Sequence, residues 1–305
     1  MIGNLLIDGV DAYLEYGVFV VQDGHKEVFE YPLLKNNVLE NNWHEYDGVE
    51  IDELEEREFS SRTLNIDFAC IDSNKVDLFF EMLASGSATK TFLFFNTFSF
   101  NYRLVSNPKR KVCKNLEIFS LKFSEDYRTL YAETNQNDVV KESDLSINGK
   151  LFSDFSTYVL AGSYDDIQQN PEVKENLVIE ITGGQSYGTG ETVFEKKDVK
   201  LNLLMITNSF ESFRKNYYAL QNEFLKKGLS TIGVNSLLSE FDCYYKSCSV
   251  KKIAPTNNGV WFEFSLTFTF TNFRNKVIDI LVTEDGRYVT TEESIDEEIT
   301  VIQLN

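Results

Sequence analysis

The sequence predicts a mainly β protein of the α+β class, with two tandem β-sandwich or barrel domains that each carry one flanking helix. Three observations support this fold class. An alternating strand followed by an amphipathic helix occurs twice, at residues 59–83 and 194–220. Each copy later ends in an aromatic strand of nearly the same sequence. The chain has 305 residues, which is enough for about two domains.

The strand in each copy alternates apolar and polar residues. Its apolar positions are Leu64, Ile66 and Phe68 in the first copy and Val199, Leu201 and Leu203 in the second. A period of two is typical of a strand with one buried face. We therefore expect these side chains to face the core.

Each strand leads into a helix whose apolar residues lie on one face, because they recur at helical spacing. These residues are Val76, Phe79, Phe80 and Leu83 in the first copy and Phe210, Phe213, Tyr217, Leu220 and Phe224 in the second. Asn74 and Asn208 are the predicted N-caps. Gly228 follows two lysines and predicts the end of the second helix.

Further matches accompany these elements. Phe264-Ser-Leu-Thr-Phe268 repeats Phe119-Ser-Leu-Lys-Phe123, and Ser146-Ile-Asn-Gly149 restarts the pattern of Leu6-Ile-Asp-Gly9. This ordered series favours an internal duplication. The predicted division is a first domain at 1–125, a linker at 126–144, a second domain at 145–273 and an acidic C-terminal β extension at 274–305.

Four segments lie outside the matched strands and helices, and two of them leave alternatives open. Residues 26–58 are acidic and irregular, which predicts a solvated loop or hairpin arm, or else an arm at a subunit interface. The C-terminal extension predicts a solvated hairpin, or a strand that pairs with a neighbouring subunit. The basic turn at 107–111 predicts a solvated hairpin tip. The glycine-rich segment 183–190 lacks the Lys-Ser/Thr of a P-loop and precedes a strand, so it predicts a flexible loop or hairpin tip.

The net charge of −19 disfavours nucleic acid as a bound ligand and disfavours an anionic membrane surface. Solvation of a large surface explains this charge, and so does a negative wall that lets DNA pass without sticking. No apolar run approaches the ~18 residues that span a bilayer. The N-terminus lacks the basic region of a signal peptide, so we expect a chain that starts near Met1 and stays in the cytoplasm of its producer.

The sequence gives little indication of catalysis. His-Glu-x-x-His does not occur, and the acidic residues are too numerous to single out a catalytic pair. Gly184-Gln-Ser-Tyr-Gly188 fits Gly-x-Ser-x-Gly, but a strand follows it where a nucleophile elbow needs a helix. The two histidines, His25 and His44, have no clustered cysteines beside them, which disfavours zinc. We predict no catalytic, cofactor-binding or metal-binding residues, and no enzyme activity.

The cysteines are predicted to be free structural thiols, as in a reducing compartment. Cys243 and Cys248 flank four residues on a probable strand. Their spacing of five predicts opposite faces of that strand, which argues against a disulfide or a shared metal.

The order of these elements resembles the tail-tube fold of tailed phages and related contractile injection machines. It is most similar to the ring-forming domain of distal tail (baseplate) proteins. The resemblance rests on Ile7-Asp-Gly9, Arg62-Thr63, the helix from Asn74 to Leu83 and the strand from Phe119 to Phe123. It covers most of residues 1–125 and, more loosely, 145–271. Its motifs are patterns of residue types and include no invariant site.

The resemblance implies a structural protein without a cofactor, which forms a ring at the distal tail or baseplate around the DNA channel. Single-domain members form six-fold rings, and chains with two tube domains form trimers with pseudo-six-fold symmetry. A trimer or a hexamer is therefore expected here, in contact with other tail or baseplate proteins. DNA would only pass through the lumen, and no membrane insertion is implied. The implied location is the virion tail, assembled in the cytoplasm of the bacterial host.

Two alternatives remain open. The second domain of the distal tail family resembles a carbohydrate module, whereas this chain repeats its first domain, so the role is distal tail, hub or tube protein. Alternatively, the chain is a β-sandwich binding module that recognises a carbohydrate or a cell-surface partner. Exposed Trp43, Trp261 or tyrosine clusters on a concave face would favour that second reading.

Overall fold

The structure is a computed structural model, and its β-rich character agrees with the predicted class. The structure describes residues 4–35, 39–52, 57–106, 110–113, 116–138, 140–174, 178–181, 184–187, 192–256, 259–272, 276–277, 280–282, 288–292 and 300–303.

The first half of the chain contains two α-helices and a series of strands. In chain order they are β1 (Leu5–Ile7), β2 (Val10–Asp11), α1 (Ala12–Tyr16), β3 (Val18–Val20), β4 (Glu40–Asn41), β5 (Glu50–Ile51), β6 (Arg62–Cys70), α2 (Ser73–Ala84), β7 (Thr89–Phe94), β8 (Phe98–Ser106), β9 (Arg110–Cys113) and β10 (Leu116–Glu125). A 3₁₀ turn at Glu27–Phe29 follows β3.

The second half repeats this succession and then continues into short C-terminal strands. Its elements are β11 (Leu145–Ile147), β12 (Lys150–Leu151), β13 (Thr157–Val159), α3 (Ser163–Gln168), β14 (Val178–Ile181), β15 (Gly184–Tyr187), β16 (Lys197–Thr207), α4 (Phe210–Glu223), β17 (Ser230–Val234), β18 (Ser239–Thr256), β19 (Gly259–Phe270), β20 (Lys276–Val277), β21 (Ile280–Val282), β22 (Tyr288–Glu292) and β23 (Thr300–Gln303). Two 3₁₀ turns, Phe152–Phe155 and Asn235–Leu237, complete them.

The two large antiparallel sheets have the same strand order. The first runs β2-β1-β7-β8-β10-β6-β3, with β9 beside β10. The second runs β12-β11-β17-β18-β19-β16-β13, with β20 beside β18. Apart from the added β9 and β20, the strands occupy corresponding positions in the two sheets when each half is numbered in its own chain order. The smaller sheets are β4-β5, β14-β15 and β21-β22-β23.

The repeated sequence has the same register in both sheets. The paired residues are Phe119–Phe68, Leu121–Ile66 and Phe123–Leu64 in the first sheet and Phe264–Leu203, Leu266–Leu201 and Phe268–Val199 in the second. All of these side chains are buried. A slip of one residue would turn each of them away from the core, so burial holds the register in both sheets.

The first hairpin of each half has the same turn conformation and the same contact with the neighbouring strand. Asp8 and Asn148 have positive φ angles of 50° and 49°, and each precedes a glycine with positive φ. Asp8 Oδ1 accepts a hydrogen bond from the Thr91 N–H at 2.8 Å, and Asn148 Oδ1 accepts one from the Thr231 N–H at 3.0 Å. Asp-Gly and Asn-Gly suit a two-residue hairpin turn, because both central residues need positive φ.

Helix α4 lies between the two sheets, whereas α2 covers the first sheet alone. The ring of Phe213 is 5.1 Å from that of Phe98 in the first sheet and 5.3 Å from that of Phe262 in the second. Tyr217 contacts the same two rings. Most of α4 is accordingly buried, including the polar Asn216, Gln221 and Glu223, whereas Glu211 is exposed. The hydrophobic core therefore forms one cluster that includes residues of both sheets.

A buried ion network joins the first sheet to α4. Glu125, at the end of β10, accepts hydrogen bonds from Arg62 at 2.6 Å and from Arg128 at 3.0 Å. Arg128 also donates to the Tyr217 hydroxyl at 2.6 Å, and its guanidinium lies 4.9 Å from the centre of the Phe100 ring. Burial raises the pKa of Glu125, but the two guanidinium groups outweigh this effect and hold the pKa below its usual value. The carboxylate therefore stays charged inside the protein.

Residues 126–138 and 140–144 contain no helix or strand. They nevertheless pack along the surface of α4. The Tyr131 ring is 4.6 Å from that of Tyr218, and the Gln136 N–H donates to Asn216 Oδ1 at 2.7 Å. The connection between the sheets thus packs on the helix that both sheets share. The predicted domain division at these residues stays a prediction.

Both predicted helices form, but neither begins at the predicted cap. Asp72 caps α2, since its side chain accepts a hydrogen bond from the Asn74 N–H at 3.1 Å. Ser209 caps α4 and accepts from the Ser212 N–H at 3.0 Å. Helix α4 ends at Glu223, five residues before the predicted stop at Gly228. The next residue, Phe224, stacks on the ring of Tyr245 in the second sheet. Several polar residues stand beside each helix start, and backbone geometry selects among them.

Cys243 and Cys248 lie on the same face of β18, so the predicted opposite faces are wrong. They pair with Phe270 and Leu266, two buried residues four positions apart on β19. The register shifts by one residue at a bulge between them. Because of this extra residue, two side chains five positions apart point to the same face of the sheet. Both are free thiols. Burial raises the pKa of Cys243, and it raises that of Cys248 to about 12.

Replacing Arg128 with methionine removes one of the two cations from Glu125. We expect the free energy of unfolding to fall by about 1–3 kcal/mol, because Glu125 and Tyr217 each lose a buried hydrogen bond while Arg62 still pairs with Glu125. Arg103→Met is the matched control. Arg103 pairs with Asp126 at the surface, and such a pair contributes about 0–1 kcal/mol. Urea denaturation of both variants tests this difference, and equal losses would contradict a special role for the buried network.

Candidate functional site

The arginine of the Arg62-Thr63 motif anchors a neighbouring turn. Its guanidinium donates to three backbone carbonyls of the segment after β3, and Lys197 does the same to the segment after β13. The acceptors of Arg62 are Glu27 (2.9 Å), Val28 (3.0 Å) and Glu30 (2.7 Å), and those of Lys197 are Asp166 (3.1 Å), Ile167 (2.5 Å) and Gln169 (2.6 Å). A cation suits the carbonyl end of a helical turn. The cation at this position therefore anchors the neighbouring turn in both halves.

Residues 39–52 of the acidic segment 26–58 lie against the second half of the same chain. The Gly48 N–H donates to the Phe194 carbonyl and the Val49 N–H to the Thr271 carbonyl, both at 2.8 Å. Arg57 then donates to backbone carbonyls just beyond α4. Strands β4 and β5 pair within the same segment. It is thus a hairpin arm held by the second half of the chain.

This arm presents two exposed aromatic side chains, Trp43 and Tyr46. Their backbone is fixed by the buried Lys174, whose ammonium donates to the carbonyls of Trp43 (2.8 Å), Tyr46 (2.7 Å) and Gly48 (2.6 Å). Exposed tryptophan and tyrosine are the residue types that most often dominate binding energy at interfaces. A rigid loop also lowers the entropy that binding must overcome. The arm is therefore one candidate interaction surface, which we call the aromatic arm (residues 42–50).

A second candidate is a cavity of about 140 Å³ beside the edge strand β3. Its lining includes Tyr13, Phe19, His25 and Phe95 of the first half and Pro255, near the end of β18, of the second half. We call it the His25 cavity. His25 is buried, and neither ring nitrogen has a hydrogen-bond partner among the residues that the structure describes. Burial lowers the pKa of His25 to about 4.

The backbone beside the His25 cavity is strained. Phe95 has a φ of 52°, in the left-handed region that bulky side chains rarely adopt. Its ring stacks on Phe210 at 4.9 Å and meets the His25 ring edge-on at 5.5 Å. Strain of about 1–3 kcal/mol persists where surrounding packing enforces it, often at functional sites. Packing with α4 thus keeps an aromatic wall in this position.

Several predicted features lie partly outside the described residues. The basic turn is described only from Arg110, which pairs with Asp77 (2.6 Å) and Glu117 (3.0 Å). The glycine-rich segment is described only at β15. In the C-terminal extension, β20 pairs with β18, and β21, β22 and β23 form a separate sheet.

The described part of the chain contains no group of three or more His, Cys, Asp or Glu side chains arranged to hold a metal ion. Within the same ranges, no helix is long and apolar enough to cross a membrane. Sequence reasoning missed the roles of Arg128, Lys174 and Gly48. Each is a single polar or small residue in an irregular segment, and no local pattern marks it.

Comparison with family models gives no match, and comparison with curated proteins gives none either. Among solved structures, the chain overlaps the crystal structure of the Dit protein (gp 19.1) of phage SPP1, which is described as a paradigm of the hub adsorption apparatus in phages that infect Gram-positive bacteria. The overlap covers 88% of this chain and 98% of the other, with 9% sequence identity and a TM-score of 0.27. A TM-score this low does not establish a shared fold.

Gly48→Ala tests the attachment of the aromatic arm. A Cβ atom there would lie 1.7 Å from the Thr271 carbonyl oxygen, and the φ of Gly48 is +67°. Gly9→Ala is the control, because it meets a similar φ strain with no atom within 4 Å. We expect the Gly48 variant to lose about 1–3 kcal/mol more stability than the control in urea denaturation. Similar losses in both variants would show that the close approach is not needed.

His25 should make stability depend on pH. The unfolded chain binds a proton at this group below about pH 6.5, whereas the folded chain does so only near pH 4. Stability therefore declines as the pH falls through this window, by about 2 kcal/mol between pH 7 and pH 5. Urea midpoints at both pH values measure this decline. It should shrink by that amount in His25→Leu. An unchanged decline in His25→Leu would contradict the assignment.

Proposed function

We propose that the chain is a structural subunit of a phage or phage-like tail and not an enzyme. It would form a ring at the distal tail or baseplate around the DNA channel. The observation that carries the proposal is the match between the two sheets in strand order, register and turn contacts. Repetition of one sheet unit is what a chain with two ring-forming units would need.

An internal duplication is part of this proposal. The isolated bridge between Leu34 and Phe59 has its counterpart between Val173 and Phe194, and Phe194 is the residue that aligns with Phe59 in the sequence repeat. The cation anchors of Arg62 and Lys197 correspond in the same way. These contacts involve residues far apart along the chain, which supports two copies of one fold over a chance likeness of strand order.

A trimer is the assembly that this arrangement favours. Two similar units in each chain would let three chains surround a lumen with six similar units, whereas a hexamer of chains would place twelve. The net charge of −19 suits a channel from which DNA is repelled. We expect further contacts with other tail or baseplate proteins, no membrane insertion, and a place in the virion tail after assembly in the bacterial host cytoplasm.

A second candidate function is a binding module for a carbohydrate or a cell-surface partner. The aromatic arm favours it, because Trp43 and Tyr46 are exposed on a backbone fixed by Lys174. Exposed aromatic rings on a rigid support can stack on a ligand without first becoming ordered.

Negative-stain electron microscopy with mass photometry tests the ring. We expect particles with an open centre and a mass near three times the 35.1 kDa of one chain. Six-fold particles of twice that mass would support the ring but not the trimer. A monodisperse monomer at micromolar concentration would contradict self-assembly. Glycan-array binding that is lost in a Trp43→Ala, Tyr46→Ala double variant would then favour the binding module.

A further inference from the structure

The aromatic arm shows how one half of the chain contacts the other. Two of its N–H groups donate to the carbonyls of Phe194 and Thr271, and the Lys174 ammonium donates to three of its carbonyls. The receiving surface is shielded by this contact, since Lys174 and Thr271 are each only 3% exposed. The arm belongs to the first half and its receiving surface to the second. The contact therefore joins two different surfaces.

The first half contains residues that correspond to this receiving surface. The corresponding pairs are Lys35 and Lys174, Phe59 and Phe194, and Asp126 and Thr271. The Lys35 N–H donates to the Glu58 carbonyl, and the Lys174 N–H donates to the Val193 carbonyl, both at 2.8 Å. Phe59 and Phe194 form the matching isolated bridges. Asp126 and Thr271 directly follow β10 and β19, which share one register.

In the first half this surface is an open groove of about 630 Å³, which we call the Tyr127 groove. Its lining includes Lys35, Phe59, Asp126, Tyr127 and Leu130. Tyr127 is 87% exposed and Leu130 54% exposed. In the described part of the chain, no backbone N–H donates to the carbonyl of Phe59 or Asp126. The groove thus has the acceptors, the lysine and the exposed apolar groups that a second arm would need.

The second half also has a counterpart of the arm. Strands β4 and β5 pair between Lys35 and Glu58, and β14 and β15 pair between Lys174 and Val193. The β14–β15 hairpin contains the apolar sequence Leu177-Val-Ile-Glu-Ile181 and most of the glycine-rich segment 183–190. Glycine suits such a contact, because a Cβ atom on Gly48 of the arm would lie 1.7 Å from the Thr271 carbonyl oxygen.

We propose that the β14–β15 hairpin of a second copy occupies the Tyr127 groove, as the aromatic arm occupies the corresponding surface of the second half. This inference rests on the proposed function and adds the two surfaces that join neighbouring copies. A contact between different surfaces leaves one hairpin and one groove free on each chain. It therefore repeats from copy to copy, and it closes into a ring when the rotation permits.

The chemistry of the groove suits this occupant. Lys35 lies where Lys174 lies in the second half, so its ammonium would donate to carbonyls of the hairpin. Hydrogen bonds from a charged donor are stronger than those between neutral groups. Tyr127 and Leu130 would lose their contact with water against the apolar residues of the hairpin. Tyrosine is among the residues that most often dominate binding energy at interfaces.

Zero-length carbodiimide cross-linking tests the contact in the complete chain. This reagent joins a lysine amine to a carboxylate in contact with it, and assemblies of mixed ¹⁴N and ¹⁵N chains identify links between copies by mass. We expect Lys35 to be linked between copies to Glu175, Glu180 or Glu191. The link between Lys35 and Glu58 within one copy is the internal control, because these groups form an ion pair. Assembled particles without the link between copies would overturn the proposal.

Lys35→Ala removes the cation that holds the hairpin. We expect the dissociation constant of the assembly to rise about 10–100-fold, measured by sedimentation over a range of concentrations. The fold should be kept, because the exposed pair of Lys35 with Glu58 contributes little to stability. Lys200→Ala is the matched control, since Lys200 is exposed on β16 and does not line the groove. Equal dissociation constants for Lys35→Ala and the unmodified protein would contradict the inference.

The outcomes separate this inference from the proposed ring. Rings in which Lys35 is not linked to the hairpin would keep the ring and overturn the inference. Filaments that carry this link would keep the inference and contradict the ring. Links from Lys35 to carboxylates of the C-terminal extension (274–305) would assign the groove to that segment and overturn the proposal. A chain that stays monomeric at every concentration would contradict both.

Discussion

The junction between the two sheets depends on the buried carboxylate of Glu125, which two guanidinium groups share. Arg62 binds it from β6 and also holds the carbonyls of the turn that carries Phe29. Arg128 binds it from the connecting segment and orients the hydroxyl of Tyr217 on α4. Removal of either cation would leave the buried carboxylate with a single partner. One carboxylate therefore ties together the first sheet, the segment after β3 and the shared helix.

The two halves differ where this network lies. In the register of the sheets, Phe270 occupies the place of Glu125, and Lys197 occupies that of Arg62. The Lys197 ammonium is 5.8 Å from the centre of the Phe270 ring, so a cation–π contact stands where the first sheet has an ion pair. The strand order and the anchoring of the neighbouring turn are kept in both halves. The halves thus share a framework and differ at the contact that makes one core of two sheets.

The two candidate interaction surfaces both combine residues from the two halves. The aromatic arm belongs to the first half and is fixed by Lys174 and Thr271 of the second. The His25 cavity belongs to the first half and includes Pro255 of the second half in its lining. Both surfaces therefore take their present shape in the complete chain. If the chain does form a ring, its binding properties therefore depend on the packing of its two units as well as on the repeated fold.

The sequence by itself determined the local structure. Alternation at Leu64, Ile66 and Phe68 and helical spacing at Val76 and Phe79 led to the correct elements, because these periods follow from backbone geometry alone. It also revealed the matching of the two halves. Three features could not be derived from it: the position of α4 between both sheets, the contact of Gly48 and Val49 with the second half, and the bulge that brings Cys243 and Cys248 to one face. Those features depend on contacts between residues distant in sequence, and a local period carries no information about which surface a buried face will meet.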